Sequence, residues 1–291
     1  MPDAAVEASY HYCRQLARST ARNFYYGFVL LPDAKRDALC ALYAFMRGID
    51  DISDEPGPIE VKRQRLQGQR AELDRILDGG STSEAAWPAL RDTVKRFGIP
   101  PRYLHDLITG AEMDLAVAEY ETFGELRRYC YHVAGAVGLC CLYVFGFRDT
   151  QAPEFAEKLG IAFQLTNILR DIREDLAMGR VYLPHEDFAK FGCKVEQFSE
   201  NSASGRAIEM LDFETKRARD FYCEGWKLLP LVNADSRAAL WAMARIYSGI
   251  LQKIERRGKH VLTGERARLS AAEKMWIVFK ARMGWFRDDG T

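Results

Sequence analysis

Two stretches of the chain decide its predicted fold: residues 43–54 read YAFMRGIDDISD, and residues 164–175 read QLTNILRDIRED. In each stretch apolar residues recur every three or four positions, which is the spacing of one buried face of an α-helix. Each stretch also contains two aspartates four residues apart, which therefore share a helix face. They are Asp50 and Asp54 in the first stretch and Asp171 and Asp175 in the second. We predict two helices, each with an acidic face.

Helical spacing continues through most of the chain. Further stretches with this period run over approximately residues 8–28, 59–78, 84–97, 102–119, 122–146, 153–177, 203–228, 233–257 and 270–285. Turn-forming residues interrupt them, as in the Glu-Pro-Gly-Pro run at 55–58, and no alternating strand pattern stands beside them. The pattern predicts an all-α protein with a single domain over residues 1–291.

Composition excludes several classes of protein. The 41 basic and 41 acidic residues balance, so no global field attracts nucleic acid. The first residues, MPDAAVEASYHYC, lack the basic start and apolar centre of a signal peptide, and we identify no apolar run near the ~18 residues of a membrane span. The seven cysteines form no Cys-x-x-Cys pair. These features predict a cytoplasmic protein with reduced thiols and without nucleic-acid partners.

The acidic pairs are unfavourable as purely structural features. Like charges four residues apart on a helix cost roughly 0.2–0.5 kcal/mol, and carboxylates near a helix C-terminus oppose the helix dipole. Each pair extends a polar line along its helix, with Tyr43 and Arg47 in the first and Gln164 and Asn167 in the second. Exposed acidic helix ends are the structural alternative. Two matching lines instead favour an oxygen-lined cavity for Mg²⁺ and a phosphate-bearing substrate, whereas structural Ca²⁺ lacks a loop with alternating ligands.

Five segments resemble the squalene/phytoene synthase family, in the family's order. They are YAFMRGIDDISD at 43–54, YCYHVAGAVG at 129–138, QLTNILRDIRED at 164–175, GRVYLP at 179–184 and ARIYSGIL at 244–251. The resemblance implies the isoprenoid synthase fold, a helical bundle around a central cavity with the two acidic motifs facing each other. It also implies a prenyltransferase that joins two prenyl diphosphates head to head and releases diphosphate.

The resemblance assigns roles to residues at matching positions. Mg²⁺, with Mn²⁺ as a substitute, is expected on Asp50, Asp54, Asn167, Asp171 and Asp175. Substrate contacts are expected from Arg47, Gln164, Arg170, Tyr247 and either Arg266 or Arg268. Tyr43 and Tyr129 match tyrosines near the reacting carbons, and with Arg47 and Arg170 they are the predicted catalytic residues. Residues 19–23, STARN, depart from the serine-rich segment common in the family, and Arg22 and Asn23 are the phosphate contacts expected there.

The sequence also bears on the donor and the product. Phe24 and Phe28 are expected to line the tunnel for a prenyl tail, and a bulky Phe28 favours farnesyl diphosphate, with fifteen carbons, over geranylgeranyl diphosphate. We therefore favour presqualene diphosphate or squalene as the product, with phytoene synthesis as the alternative. Completing squalene needs a hydride donor such as NADPH. The chain contains no Gly-x-Gly fingerprint, which argues only weakly against NADPH, and its use is left open.

Other classes of protein remain as alternatives. A chain-elongating prenyl transferase or a terpene cyclase also uses acidic pairs and Mg²⁺, but the segments at 129–138 and 164–175 fit those enzymes poorly. A non-catalytic helical lipid-binding protein would leave the acidic faces without purpose, and a di-iron bundle needs Glu-x-x-His motifs that the chain lacks. A water-insoluble product predicts transient contact of a cytoplasmic enzyme with a membrane surface. The sequence predicts no oligomeric state.

Overall fold

The computed structural model describes residues 4–116, 118–198, 205–258 and 266–286, which form helices and turns without strands. The first helices are α1 (Ala4–Thr20), α2 (Arg22–Phe28), α3 (Asp33–Asp54), α4 (Ile59–Leu77), α5 (Trp87–Phe97) and α6 (Pro101–Ala116). They are followed by α7 (Phe123–Cys130), α8 (Ala136–Phe145), α9 (Ala152–Ala177), α10 (His185–Phe191), α11 (Gly205–Gly225), α12 (Ala234–Arg257) and α13 (Ala271–Arg282). A π-helical turn, Tyr131–Gly135, joins α7 to α8, and 3₁₀ turns occupy Val195–Phe198 and Trp226–Leu228. The predicted all-α class is confirmed.

The helix predicted over 8–28 is two helices, α1 and α2, which meet at Ala21. The Thr20 hydroxyl donates to the Leu16 carbonyl at 2.7 Å, and the Ser19 hydroxyl also donates to carbonyls one turn back. Such side-chain bonds compete with helical backbone bonds and tend to bend a helix. After the break α2 packs mainly against α12, whereas α1 packs against α3 and α5. The break therefore carries the α2 side chains to the side of the molecule where α12 lies.

The helical stretch predicted over 122–146 is more apolar than expected. α7, the π turn and α8 run over Phe123–Phe145, 23 residues, and by length and composition alone this stretch could span a bilayer. The expectation that no such stretch exists is wrong, because residues 133–145 carry no charged side chain. Half of its 18-residue apolar window is buried inside the protein, as in the core helix of a globular fold, and the stretch packs against α6 and α9.

The seven cysteines are free thiols, as predicted. Burial raises the pKa of Cys13 and of Cys40 to about 12, so neither forms a reactive thiolate near neutral pH. Cys223 is the exposed member of the set. The thiols therefore act mainly as small apolar side chains of the core.

Close backbone contact fixes the position of α9, the helix that carries the second acidic motif. This helix packs against α8, α11, α12 and the π turn. A Cβ atom at Gly160 would lie 2.3 Å from the carbonyl oxygen of Ala134 and 3.0 Å from the Cα atom of Gly135. The two backbones approach this closely because residue 160 has no side chain.

Replacement Gly160→Ala is expected to lower the free energy of unfolding by about 1–3 kcal/mol, because the added methyl group must push α9 away from the π turn. Urea unfolding followed by far-UV circular dichroism measures this change. The matched control is Gly68→Ala in α4, where a Cβ atom would meet nothing within 4 Å. That substitution is expected to stabilise the protein by about 0.5–1 kcal/mol. Equal stability of the Gly160 variant and the wild type would contradict the close packing.

Candidate active site

The first acidic motif lies in the last turns of α3. Asp50 and Asp54 are both accessible to solvent. Crowding by protein raises the pKa of Asp50 to about 7, and the negative charges of Asp54 and Asp114 raise it further. Solvent reaches the Asp50 carboxyl group although protein surrounds it, so this group lies in a recess. The pKa of Asp50 is raised first by this crowding and second by the neighbouring carboxylates. Arg47 lies on the same side of α3 and forms an ion pair with Asp51.

The second acidic motif forms a half-buried line along α9. Its members are Gln164, Asn167, Asp171 and Asp175. Arg170 donates from Nε and Nη2 to the two Asp171 oxygens at 2.8 and 2.6 Å. Arg266 donates to the same carboxylate at 2.5 Å. Burial raises the pKa of Asp175 to about 7, and the Asp171 charge raises it further. The line therefore combines one aspartate held by arginines with one that retains excess negative charge around it.

At one end of the two acidic helices, both motifs border Asp114 of α6 and Tyr182. Burial raises the pKa of Asp114, and the Asp54 charge adds to that effect. Burial also raises the pKa of Tyr182 to about 12, with further contributions from Asp114 and Asp175. The Tyr182 hydroxyl donates to Asp114 at 3.3 Å. Asp54 of α3 and Asp175 of α9 thus lie beside the same hydrogen-bonded pair.

Further towards the N-terminus of each helix, both motifs border Tyr247 of α12. Burial raises the pKa of Tyr247 to about 12, and the nearby Arg170 guanidinium opposes that effect. Tyr43 of α3 and Asp171 of α9 both add to the rise, and Asn23 of α2 hydrogen-bonds to the phenol. Interactions between charges weaken with distance and with solvent screening, so these groups are neighbours. Residues of both acidic helices therefore interact with the same tyrosine, and we call the region that they border the cleft.

Tyr129 belongs to a cluster of buried tyrosines that the sequence did not reveal. Its hydroxyl forms hydrogen bonds with Asp114 and Tyr182. Its ring lies 5.4 Å from the Tyr182 ring and 5.5 Å from the Tyr120 ring. Arg180 hydrogen-bonds to Tyr182 and opposes the rise in the pKa of Asp114. Burial raises the pKa of Tyr129 well above its ordinary value, so this hydroxyl stays protonated near neutral pH.

Backbone pairing between two distant segments assembles this cluster. The Val181 amide donates to the Ala118 carbonyl at 2.8 Å, and the His185 amide donates to the Tyr120 carbonyl at 2.9 Å. The paired segments follow α6 and α9, so Arg180 and Tyr182 come to lie near Asp114 in the last turn of α6. The GRVYLP segment at 179–184 was the available signal for them. Nothing in its spacing indicated a partner 68 residues earlier.

Stacked aromatic rings from three helices form one side of the cleft. The Tyr247 ring of α12 lies 5.0 Å from the Phe24 ring of α2 and 4.5 Å from the Phe163 ring of α9, stacked in both cases. Phe28 is buried, and its ring lies edge-on to Tyr25 at 6.4 Å. The side chain of Arg22 lies outside the described part of the chain. Phe163 is an additional wall residue that the sequence analysis did not select.

A solvent-open cavity of about 950 Å³ lies beside Asp171, between α9, α12 and residues 266–270. Among the described residues, its cationic lining consists of Arg170, Arg173, Lys253, Arg257, Arg266 and Arg268, against one acidic residue, Glu174. Arg266 contacts Glu174 at 3.2 Å as well as Asp171, whereas the Arg268 side chain is exposed. Of the two predicted phosphate contacts, Arg266 is therefore the one attached to the acidic motif. The excess of cations suits a phosphate group.

The acidic cleft has donors that suit Mg²⁺. The Asn167 Oδ1 atom is buried and has no hydrogen-bond partner in the described residues. Asp50 and Asp175 hold negative charge that a cation would neutralise. Within the described ranges, no three acidic, histidine or cysteine side chains gather around one point. Mg²⁺ needs only one or two carboxylates when phosphate and water complete its shell, so the residues fit an ion that binds together with diphosphate.

An all-helical fold in which two acidic helices share tyrosine neighbours, beside arginines and stacked aromatic rings, is typical of the isoprenoid synthase fold. Residues 17–273 match the family described as squalene/phytoene synthase. The chain belongs to the squalene/phytoene synthase family. It is accordingly a prenyltransferase of the class that condenses prenyl diphosphates head to head, as the resemblance implied.

Individual relatives agree with this assignment. A phytoene synthase from Mycobacterium tuberculosis is 38% identical over 279 residues, covering 95% of this chain and 91% of the relative. A 15-cis-phytoene synthase from Synechocystis is 36% identical, covering 98% and 87%. Among solved structures, a dehydrosqualene synthase in complex with ligand aligns with a TM-score of 0.88 at 30% identity, over 96% of this chain and 97% of that one. Squalene synthase HpnC from Alicyclobacillus acidocaldarius aligns at 0.82 and 30%, over 88% and 96%.

Proposed function

We propose that this chain uses Mg²⁺ to condense two prenyl diphosphates into a cyclopropylcarbinyl diphosphate, with release of one diphosphate. The observation that supports this most directly is that α3 and α9 share neighbours: Asp114 and Tyr182 beside Asp54 and Asp175, and Tyr247 beside Tyr43 and Asp171. This arrangement combines carboxylates, arginines and stacked rings in one cleft. Family membership favours this reaction over chain elongation and cyclisation.

The polar side of the cleft would bind the diphosphate groups of the substrates. Arg170 and Arg266 both hold Asp171, and their guanidinium groups also line the cationic cavity. Phosphate oxygens would accept charge-assisted hydrogen bonds from the same groups. Mg²⁺ held by Asp50, Asp54, Asn167, Asp171 and Asp175 would supply Lewis-acid stabilisation of the departing diphosphate. The arginines therefore bind and orient the leaving group.

The aromatic side of the cleft would surround the reacting carbon atoms of the prenyl chains. Departure of diphosphate breaks an allylic C–O bond and leaves a carbocation, which the double bond of the second substrate attacks. The carbon that lost diphosphate then gives up a proton to the released diphosphate, and the cyclopropane ring closes. The stacked rings of Phe24, Phe163 and Tyr247 exclude water, and their faces stabilise positive charge. The Tyr129 hydroxyl remains protonated and is held by Asp114, which fixes the position of its oxygen beside the cleft. Tyr43 borders Tyr247 from α3.

Two donors are candidates, each supported by a different observation. Farnesyl diphosphate is our first choice, because the bulky Phe28 side chain is buried in α2, next to the turn that carries the aromatic wall residue Phe24. It would give presqualene diphosphate, or squalene if NADPH supplies hydride. Geranylgeranyl diphosphate is the second candidate, because the curated relatives at 36–38% identity are named phytoene synthases.

Product analysis tests the proposed reaction. The purified chain is incubated with farnesyl or geranylgeranyl diphosphate, in Mg²⁺, Mn²⁺ or EDTA and with or without NADPH, and the products are identified by mass spectrometry. We expect a cyclopropyl diphosphate or its dimeric hydrocarbon in Mg²⁺ and Mn²⁺, and no product in EDTA. A chain-extended or cyclised product would overturn the proposal.

Replacement Phe28→Ala is expected to widen the tunnel. The ratio of kcat/KM for geranylgeranyl to that for farnesyl diphosphate should rise at least about tenfold, which is the effect of a few methylene groups in an apolar pocket. Phe45→Ala is the matched control, because Phe45 is equally buried, at 5% exposure, but packs edge-on against Trp87 of α5. Similar ratios in the two variants would remove Phe28 as the chain-length determinant.

The substrates and products also bear on where the enzyme works. Prenyl chains of fifteen or twenty carbons partition into bilayers, because burying each methylene group gains about 0.8 kcal/mol. We therefore propose that the enzyme is cytoplasmic and contacts a membrane surface transiently.

A further inference from the structure

The outward side of α13 exposes large apolar side chains to solvent. Because successive residues turn by about 100°, four of these side chains lie within one arc of about 100° on the helix surface. They are Met275, Trp276, Phe279 and Met283, and with Trp285, just beyond the helix, they form what we call the α13 face. Each of the five is between 47% and 57% exposed. Exposed aromatic residues clustered in this way mark an interaction surface.

The α13 face is an ordered surface. Trp276 and Phe279 stack at 5.4 Å, and Trp285 lies edge-on to Phe279 at 5.9 Å. The opposite side of α13 is anchored, since Ala281 is buried in a cluster with Trp241 of α12 and Ile277 packs against that cluster. The helix therefore presents its aromatic side outward because its other side is already occupied.

Cations flank the α13 face. Lys280 lies over the Trp276 ring at 5.5 Å, and Arg282 follows on the other edge of the arc. Glu273, the acidic residue of α13, is taken up by an ion pair with Lys253 at 2.7 Å. In a symmetric dimer through this face the same cations would meet each other, and like charges oppose such contact. Aromatic rings with basic neighbours instead match the interface of an anionic bilayer.

We propose that the α13 face docks the enzyme on a membrane that contains anionic lipid, with the aromatic side chains at headgroup level and Lys280 and Arg282 beside the lipid phosphates. α13 packs on α12 and on α2, and Lys274 lies over the Tyr26 ring of α2 at 5.5 Å. Helices α2 and α12 supply Phe24 and Tyr247 to the aromatic side of the cleft. The helix that carries the α13 face thus packs on the two helices that would contact a prenyl chain. The role of those two helices rests on the proposed function.

Vesicle flotation of the full chain tests the docking surface. Vesicles of phosphatidylcholine are compared with vesicles that contain about 30% phosphatidylglycerol. We expect wild type to float with the anionic vesicles and to be released by high salt. Trp276→Ser/Phe279→Ser should lower the partition coefficient at least about tenfold through lost apolar burial. Lys280→Glu/Arg282→Glu should abolish the preference for anionic vesicles.

The matched control is Ile59→Ser/Val61→Ser on α4, which removes two side chains of similar exposure, 51% and 49%, from another surface. It should float like wild type, and loss of binding comparable to the Trp276/Phe279 variant would overturn the assignment to α13. Far-UV circular dichroism checks that each variant is folded. A wild-type dimer that the Trp276/Phe279 substitutions dissociate, without vesicle binding, would also overturn the proposal.

Turnover in detergent micelles separates this inference from the proposed function. The Trp276/Phe279 variant should turn over prenyl diphosphate in micelles at the wild-type rate, because the face is not part of the cleft. If the wild type is active in micelles but does not float with vesicles, the docking proposal is wrong and the proposed reaction is unaffected. If the wild type floats but forms no head-to-head product, the proposed reaction is wrong and the docking proposal is unaffected.

Discussion

Asp50→Asn and Asp171→Asn are each expected to lower kcat at least about 10²–10³-fold, the range seen when one electrostatic contact to a developing charge is removed. Each substitution keeps the shape of the side chain and removes a negative charge from one wall of the cleft. In Asp50 this is the charge that the recess already disfavours, as its raised pKa shows. In Asp171 it is the charge that holds Arg170 and Arg266. Steady-state release of diphosphate measures the effect.

The control for Asp50 is Asp33→Asn in the first turn of the same helix, where Asp33 pairs on the surface with Arg36. It should retain wild-type turnover. A second readout is thermal unfolding with Mg²⁺ and inorganic diphosphate, which should raise the Tm of wild type and of the Asp33 variant, because a ligand that binds only the folded state stabilises it. The Asp50 and Asp171 variants should lose that rise. Turnover near the wild-type rate in either of them would contradict the assignment of the cleft.

Replacement Arg217→Met is expected to lower the free energy of unfolding by about 3–5 kcal/mol, the usual cost of removing one partner from a buried ion pair. The Arg217 guanidinium of α11 donates at 2.7 Å to both Asp187 and Glu214, two carboxylates that are almost fully buried. It also covers the Phe123 ring at 4.1 Å. Without Arg217, both carboxylates would remain in the interior without their cation. Urea unfolding measures the loss.

Arg219→Met, two residues further along α11, is the matched control. Arg219 pairs with Glu255 at 2.5 Å, but half of its side chain is exposed. An exposed ion pair of this kind contributes about 0–1 kcal/mol, so the control should unfold close to wild type. If the two variants had equal stability, the buried cluster would not support α11 in the way we describe.

Helix content and the identity of the acidic helices were predictable from the sequence, because both follow from spacing within a short window. The alignment of Asp50 with Asp54, and of Asp171 with Asp175, requires only that their segments be helical. The boundaries were less accurate at Ala21, where hydroxyl groups of Ser19 and Thr20 end a helix whose apolar period continues past them. The membrane-span length of Phe123–Phe145 was missed because the stretch begins with the polar residues of α7.

Several members of the candidate site were not predictable. Asp114 looks in sequence like one more acidic residue on α6, and Phe163 looks like one more apolar residue on α9. Their places in the cleft depend on neighbours from other helices, namely Tyr182 beside Asp114 and Tyr247 beside Phe163. The choice of Arg266 over Arg268 likewise depended on which side chain reaches Asp171.

The sequence by itself determined that two helices each carry an acidic face, because the side chains on one helix face are set by the 3.6-residue period alone. The tertiary structure alone decided that these faces border the same tyrosines, and that α13 turns its aromatic side outward. Contacts of that kind join residues far apart along the chain, and they form only where the packing of the whole core brings two helices together. The spacing of residues within one helix carries no information about which other helix will pack against it.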